Sequence, residues 1–206
     1  MPGDYVGDWG EGLQTPSGKF EFIAQTLKNI DDPGRPPLNK YIPTFEDPKR
    51  NPELAPYPVQ MLTPHMRYPF HIMGDERGCT IRDIKDHRVR VGDHEYLVAV
   101  INRKDAESRG IKSDDLIRVW NHRGSVVCAA YVSDRIRPGV LSAPTASAEY
   151  RPAGEPGNST DLGGCMNLLN PKENITDMTH SIKPNSTLVQ YEKWTGIDTW
   201  RRAEAV

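Results

Sequence analysis

Tyr96–Val140 reads YLVAVINRKDAESRGIKSDDLIRVWNHRGSVVCAAYVSDRIRPGV, and its order of strand, short helix, strand and hairpin decides the fold. The apolar run Tyr96–Ile101 stops at Asn102, a compact helix is expected over Lys104–Arg109, and Gly110 follows it. Glycine suits the left-handed position just past a helix end. Leu116–Trp120 then reads as a strand, Asn121-His122-Arg123-Gly124 turns the chain, and Ser125–Val132 forms a long second strand. Gly124 is expected at positive φ in that hairpin. Strands this closely spaced, punctuated by one short helix, point to a small barrel.

Working outward, 206 residues are enough for one sizeable core, and 18 prolines with 17 glycines add irregular arms to it. The formal charge of −2 is spread without blocks of one sign, which argues against a nucleic-acid or anionic-membrane surface. No apolar run approaches the roughly 20 residues that span a bilayer, so no membrane insertion is expected. Met1-Pro2-Gly3-Asp4 does not open a secretory signal, although a longer parent could carry one upstream. Cys79, Cys128 and Cys165 are odd in number and far apart, as suits a reducing, cytoplasmic setting better than a disulfide framework.

Residues 1–58 carry Pro33, Pro36, Pro37, Pro43, Pro48, Pro52, Pro56 and Pro58, leaving room for one short helix near Phe20–Lys28. This is an arm, and the barrel is expected over 59–194, entered by a strand Tyr57–Leu62. Residues 63–95 form a long polar excursion containing His65, His71 and His87, with His94 at its end. Connections of that length inside compact domains are usually functional or disordered. Ser142–Gly164 reads as loop, Thr187–Lys193 as the last strand, and 195–206 as a frayed tail.

Several motifs occur together in order: I-N-x-x-D-A-x-x-R-G-I at Ile101–Ile111, D-L-I-R-V at Asp115–Val119, N-x-R-G-S-V at Asn121–Val126 and D-R-I-x-P-G-V at Asp134–Val140. Thr15-Pro16-Ser17-Gly18-Lys19-Phe20-Glu21 precedes them, as does Thr63-Pro64-His65-Met66-Arg67 running on to His71; Gly163-Gly164-Cys165-Met166-Asn167-Leu168-Leu169 follows. The set resembles the C-terminal domain of molybdopterin oxidoreductases of the dimethyl-sulfoxide-reductase family. That resemblance implies a mainly β fold with short helices, a six-stranded double-psi β-barrel of the aspartate-decarboxylase-like kind with an irregular N-terminal arm. It also implies a molybdopterin guanine dinucleotide cofactor, with molybdenum or tungsten held by the pterin in the intact enzyme. Ile84–Val89 and the ending Glu192-Lys193-Trp194 resemble, within the family, the transhydroxylase type of large subunit. The implied reaction of the whole enzyme is hydroxyl transfer between polyhydroxylated benzenes, with upstream catalytic domains on the same polypeptide and an iron–sulfur subunit as partners. The isolated chain is expected to be inactive and to carry no cofactor of its own.

Such a cofactor presents a pyrophosphate, a guanine edge and a pterin edge, and each asks for a different side chain. The pyrophosphate is read for Thr63, the turn at Pro64-His65 and Arg67, whose guanidinium is a planar fork of donors, while His65 and His71 can each donate a neutral hydrogen bond to a phosphate or to the pterin. A carboxylate can accept both donors of the guanine edge, which puts Asp105 there or at the ribose. An amide gives and accepts at once, as a pterin edge requires, so Asn102 and Asn167 are read for that edge. Each has a plainer reading. Asp105 can be a first-turn acid, Asn102 a helix cap, Asn167 a turn residue, and Arg67 and the histidines solvated surface groups. No C-x-x-C, nucleophile elbow or Walker loop is present, so a locally built metal or cluster site is not expected. Cys128 is read as a small core hydrophobe.

Two other functions compete. A stand-alone double-psi barrel could serve as a protein-interaction or substrate-recognition module, since fold alone does not decide function. A self-processing decarboxylase-type barrel needs a Gly-Ser step, for which only Gly124-Ser125 is available, inside a hairpin.

Overall fold

The computed structural model describes residues 13, 15–33, 35–41, 43, 46–47, 49–65, 87–144, 149–172 and 185–202. The chain divides into two units, Met1–Pro43 and Thr44–Val206. In the first, the helix is α1, Gln25–Ile30, later than the expected Phe20–Lys28. The physical reason lies at Ala24, whose N–H donates to the Pro37 carbonyl at 2.9 Å and is therefore not available for a helical bond back to Phe20. Ala24 is still extended, and Asp31 ends α1 at φ 51.

The second unit holds β1 (Val59–Leu62), β2 (Arg88–Val91), β3 (His94–Asn102), α2 (Arg103–Ser108), β4 (Leu116–Trp120), β5 (Ser125–Ser133), β6 (Val140–Ser142) and β7 (Thr187–Lys193). Six of these strands close a ring in the order β3-β5-β4-β7-β1-β6, with β6 returning to β3 through Val100↔Ser142 and Ile101↔Leu141. The pairs β3·β5 and β1·β6 are parallel and the other pairs of the ring antiparallel. This is the expected double-psi barrel with one extra strand. Strand β2 pairs with His94–Leu97, leaving the later part of β3 to β6.

Side-chain alternation explains how β3 and β5 become buried on both faces. Ala99, Ile101, Val126, Cys128 and Ala130 point into the closed core with Met61, Ile117, Val119, Leu141, Val189 and Tyr191. Tyr96, Val98, Val127 and Ala129 face outward into a second layer covered by Val89, Leu116, Leu162 and Trp194. Cys128 is fully buried, and desolvation pushes its thiol far above the ordinary range.

The register defines two ends. At the loop end lie the C-termini of β1, β4 and β6 and the N-termini of β3, β5 and β7; the helix end carries α2 and the turn Asp134–Gly139. Asn102 caps α2, its Oδ1 accepting from Lys104 N at 2.8 Å, and Gly110 stands at φ 63 beyond the helix, as expected. Gly124 differs from expectation. Its φ is not in the left-handed region; a Cβ there would lie 2.9 Å from the Leu168 carbonyl oxygen, so glycine admits a neighbouring backbone rather than a special turn. The tail also differs, because Trp200 is 8% exposed and its indole N–H donates to the Asn121 carbonyl at 3.0 Å.

Asn121, with no exposed surface, donates from Nδ2 to the carbonyls of Leu169 and Leu188 and accepts on Oδ1 from the N–H groups of Arg123 and Gly124. Asn121→Ala strands these groups in the interior and is expected to cost about 3 kcal/mol, measured as the shift in urea-unfolding free energy. Loss of less than about 1 kcal/mol contradicts this account of the turn.

Candidate functional site

Both β1 and β6 end where Thr63 begins. Thr63 N donates to Asn185 Oδ1 at 2.7 Å, and Gln60 Nε2 donates to the Asn185 carbonyl, so Asn185, at φ 67, ties the start of β7 to the end of β1. Thr63 is half-buried, Pro64 and His65 exposed. Across β7, the buried Thr187 hydroxyl donates to Asn170 Oδ1 at 2.7 Å, and Asn170 Nδ2 donates to Asn167 Oδ1 at 3.1 Å. Asn167 lies exposed at the rim, on the 3-10 turn Met166–Leu169.

The turn is held from beneath. Arg123 Nε donates to the Leu169 carbonyl at 2.8 Å while Nη1 pairs with Glu46 Oε1 at 2.6 Å; Glu46 Oε2 accepts from Leu188 N at 2.6 Å. Arg123 Nη1 also lies 3.0 Å from His122 Nε2. An arginine can only donate, so this contact needs a neutral His122 accepting on Nε2. Partial desolvation and the Arg123 charge lower the His122 pKa, outweighing the opposing pull of Glu46.

Asp161, fully buried, organises the approach to Asn167. Its Oδ1 accepts from Arg151 N and Gly163 N, and its Oδ2 from Cys165 N at 2.8 Å. Gly163 is obligatory here because a Cβ would overlap the Glu149 carbonyl oxygen. Thr160 extends the support to the C-terminal segment, donating from Oγ1 and N to Asp198. Burial opposes ionisation of Asp198, but these hydrogen bonds, Trp200 N and the Arg201 charge together hold its carboxyl below the usual range. Tyr150 is 42% exposed, with its hydroxyl accepting from Gly157 N.

The sequence-nominated residues thus separate. Thr63, Pro64, His65 and Asn167 stand at the loop end, whereas Asn102 and Asp105 stand at the helix end, where Asn102 Nδ2 donates to the Ile136 carbonyl and Asp105 Oδ2 accepts from Gly139 N. Arg67 and His71 lie outside the described residues, as do Cys79 and Ile84–Asp86. Sequence reading passed over Asn121, Asp161, Asn170 and Asn185. The first two stand inside quoted or adjacent motif positions, but only the fold reveals which backbone groups they serve. Among the described residues no cluster of three or more metal-ligating side chains occurs, and no helix is long and apolar enough to cross a membrane.

A family profile described as "Molydopterin dinucleotide binding domain" matches residues 61–188. The chain belongs to that family. It is 42% identical, over 92% of its length, to the pyrogallol hydroxytransferase large subunit of Pelobacter acidigallici, and 30% identical, over 90%, to trimethylamine-N-oxide reductase 1 of Escherichia coli K12. It spans only 23% and 21% of those two relatives. Acetylene hydratase from Pelobacter acetylenicus shares the fold, with a TM-score of 0.62 and 24% identity over 93% of this chain and 25% of that one. A molybdopterin dinucleotide is rich in hydrogen-bond acceptors, which outward-turned donors fit and outward-turned carboxylates repel. At the loop end Asn167 Oδ1 accepts from Asn170, and the carboxylates of Glu46 and Asp161 are both turned to inward partners.

Because the His122 pKa is lowered on folding, the unfolded chain binds its proton first as pH falls below about 6.5, and stability drops in that window. The carboxylate of Asp198 acts lower, its contribution vanishing as pH falls through its lowered folded pKa. His122→Gln is therefore expected to flatten the stability profile between about pH 7 and pH 5 relative to the unsubstituted chain. Parallel profiles from urea titrations across that range contradict the assignment.

Proposed function

We propose that the loop end of this barrel holds the guanine dinucleotide form of molybdopterin, as the C-terminal cofactor-binding part of a larger molybdenum or tungsten oxidoreductase of the transhydroxylase type. The carrying observation is the Asn167 amide, anchored through Asn170 to the barrel wall at Thr187 while the residue itself stays exposed. Thr63, Pro64 and His65 stand on a strand end of the same rim, and Arg67 and His71 are assigned with them to the pyrophosphate. Asn102 and Asp105, whose side chains brace the cap and the Asp134–Gly139 turn, are assigned to keeping the helix end in shape. When bound, the cofactor supplies the metal at which the parent enzyme's chemistry occurs; this chain binds the dinucleotide, orients it and shields it from water.

The similarity to a pyrogallol hydroxytransferase supports hydroxyl transfer between polyhydroxylated benzenes as the parent's reaction. Upstream domains of the same polypeptide and an iron–sulfur subunit are the proposed partners. A free-standing interaction barrel is the weaker reading, since such a module has no need of the family's cofactor-binding segments.

Titrating the isotope-labelled chain with guanosine diphosphate is expected to shift Thr63, His65 and Asn167 together, with a dissociation constant on the order of 1 mM, about 4 kcal/mol. Binding is weak because one domain covers only part of a ligand that the whole enzyme encloses. Shifts at Asn102 and Asp105 with Thr63 and Asn167 silent place the ligand at the other end and overturn the reading. The parent's reaction is tested separately, by assaying the full-length holoenzyme for hydroxyl transfer from pyrogallol.

A further inference from the structure

We infer that Asn170 and Thr187 are positioning residues that hold the Asn167 amide in one orientation at the rim, with its Nδ2 donors presented to an acceptor oxygen of the ligand, a phosphate or a base carbonyl; this rests on the cofactor reading above. A primary amide on a surface ordinarily flips and offers either polarity. Here a chain of contacts from the barrel wall holds it. Thr187 is 1% exposed on β7, and its hydroxyl donates to Asn170 Oδ1 at 2.7 Å. With its oxygen engaged there, Asn170 donates from Nδ2 to Asn167 Oδ1 at 3.1 Å. One lone pair of Asn167 Oδ1 is thus engaged, which fixes the orientation of the amide and leaves both N–H donors of Nδ2 without a protein partner. The backbone reinforces the arrangement, since Asn170 N donates to the Asn167 carbonyl at 3.2 Å and holds both residues on one turn. Because Thr187 is fixed in the β1–β7 ladder opposite Met61, the barrel wall itself orients the amide.

The inference adds to sequence reading a polarity that the residue name lacks. Asparagine was attractive for a pterin edge because it gives and accepts together; with its oxygen held by Asn170, Asn167 leads with its two donors, which match the accepting half of such an edge or a phosphate.

The test uses the full 206-residue chain, Thr187→Val and Thr187→Ser. Side-chain amide relaxation of Asn167 is expected to show an ordered group in the unsubstituted chain and in Thr187→Ser, and a mobile one in Thr187→Val. Guanosine diphosphate affinity is expected to fall about tenfold in Thr187→Val and to return in Thr187→Ser. Titrations with inorganic pyrophosphate and with guanosine separate the two sources of acceptor: whichever shifts the Asn167 amide identifies phosphate or carbonyl. An Asn167 amide equally ordered in Thr187→Val overturns the inference while leaving the cofactor reading intact. The cofactor reading fails by a different result, the absence of any guanosine diphosphate response at Thr63, His65 and Asn167 in the unsubstituted chain. Asn167→Asp provides a control on polarity, since replacing donors by acceptors is expected to abolish binding; retained affinity contradicts the donor role.

Discussion

The architecture depends on how β7 is satisfied beyond the reach of β4. The pairing of β4 with β7 ends at Trp120↔Gln190, so the Leu188 N–H and C=O that face that side have no strand opposite them. Asn121 Nδ2 takes the carbonyl and Glu46 Oε2 the N–H. A buried backbone pair left unmatched costs on the order of 1–3 kcal/mol per group, which makes these two side chains substitutes for a missing strand. Aspartate at position 121 lacks the donors, and alanine lacks everything but space. The same amide also binds Leu169, through which the rim turn is attached, and the Asn121 carbonyl receives the Trp200 indole. One residue therefore joins the hairpin, β7, the rim turn and the C-terminal segment.

Asp161 solves the corresponding problem for the long connection between β6 and the rim. A carboxylate out of reach of water requires several donors, and Arg151, Gly163 and Cys165 supply three backbone N–H groups. The segment is further pinned where Asp161 N donates to the Ser125 carbonyl and its own carbonyl accepts from Val127 N. An irregular stretch rich in proline and glycine thereby acquires the rigidity of a strand without forming one, which a site carried on loops needs if its side chains are to hold their positions.

Legibility in the sequence follows the range of the interactions. Strands β4 and β7 depend on near neighbours and alternation and read directly from the residues, whereas the cap at Asn102 was the plainer of two readings of that residue. Gly124 was recognisable as necessary, but its reason was misread, because the Leu168 backbone that demands it is 44 positions away and no local pattern announces it. Trp200 looked like part of a loose tail for the same reason: its partner, Asn121, is 79 residues distant. The arm misled differently. A helix starting at Phe20 needs the Ala24 N–H, but that donor goes to the Pro37 carbonyl, 13 positions along the chain.

For the candidate site, motif reading located the polar residues without distinguishing how each is used. Asn102 and Asn167 are the same residue type, both in family-like motifs, and both suited by composition to a pterin edge. At Asn102 the oxygen caps α2 and the nitrogen reaches Ile136, so the amide works within the fold. At Asn167 only the oxygen is engaged with a neighbour's side chain, and the residue stands in solvent at the rim. The physical difference is the destination of the polar valences, set by contacts that span the barrel. A polar group whose valences end inside the network stabilises the fold, whereas one oriented by the network but not exhausted by it is ready for a ligand. Ordering a group in advance reduces the entropy that binding must otherwise offset, so in the proposed cofactor role of Asn167 the barrel wall at Thr187 would contribute to recognition at a position it never touches.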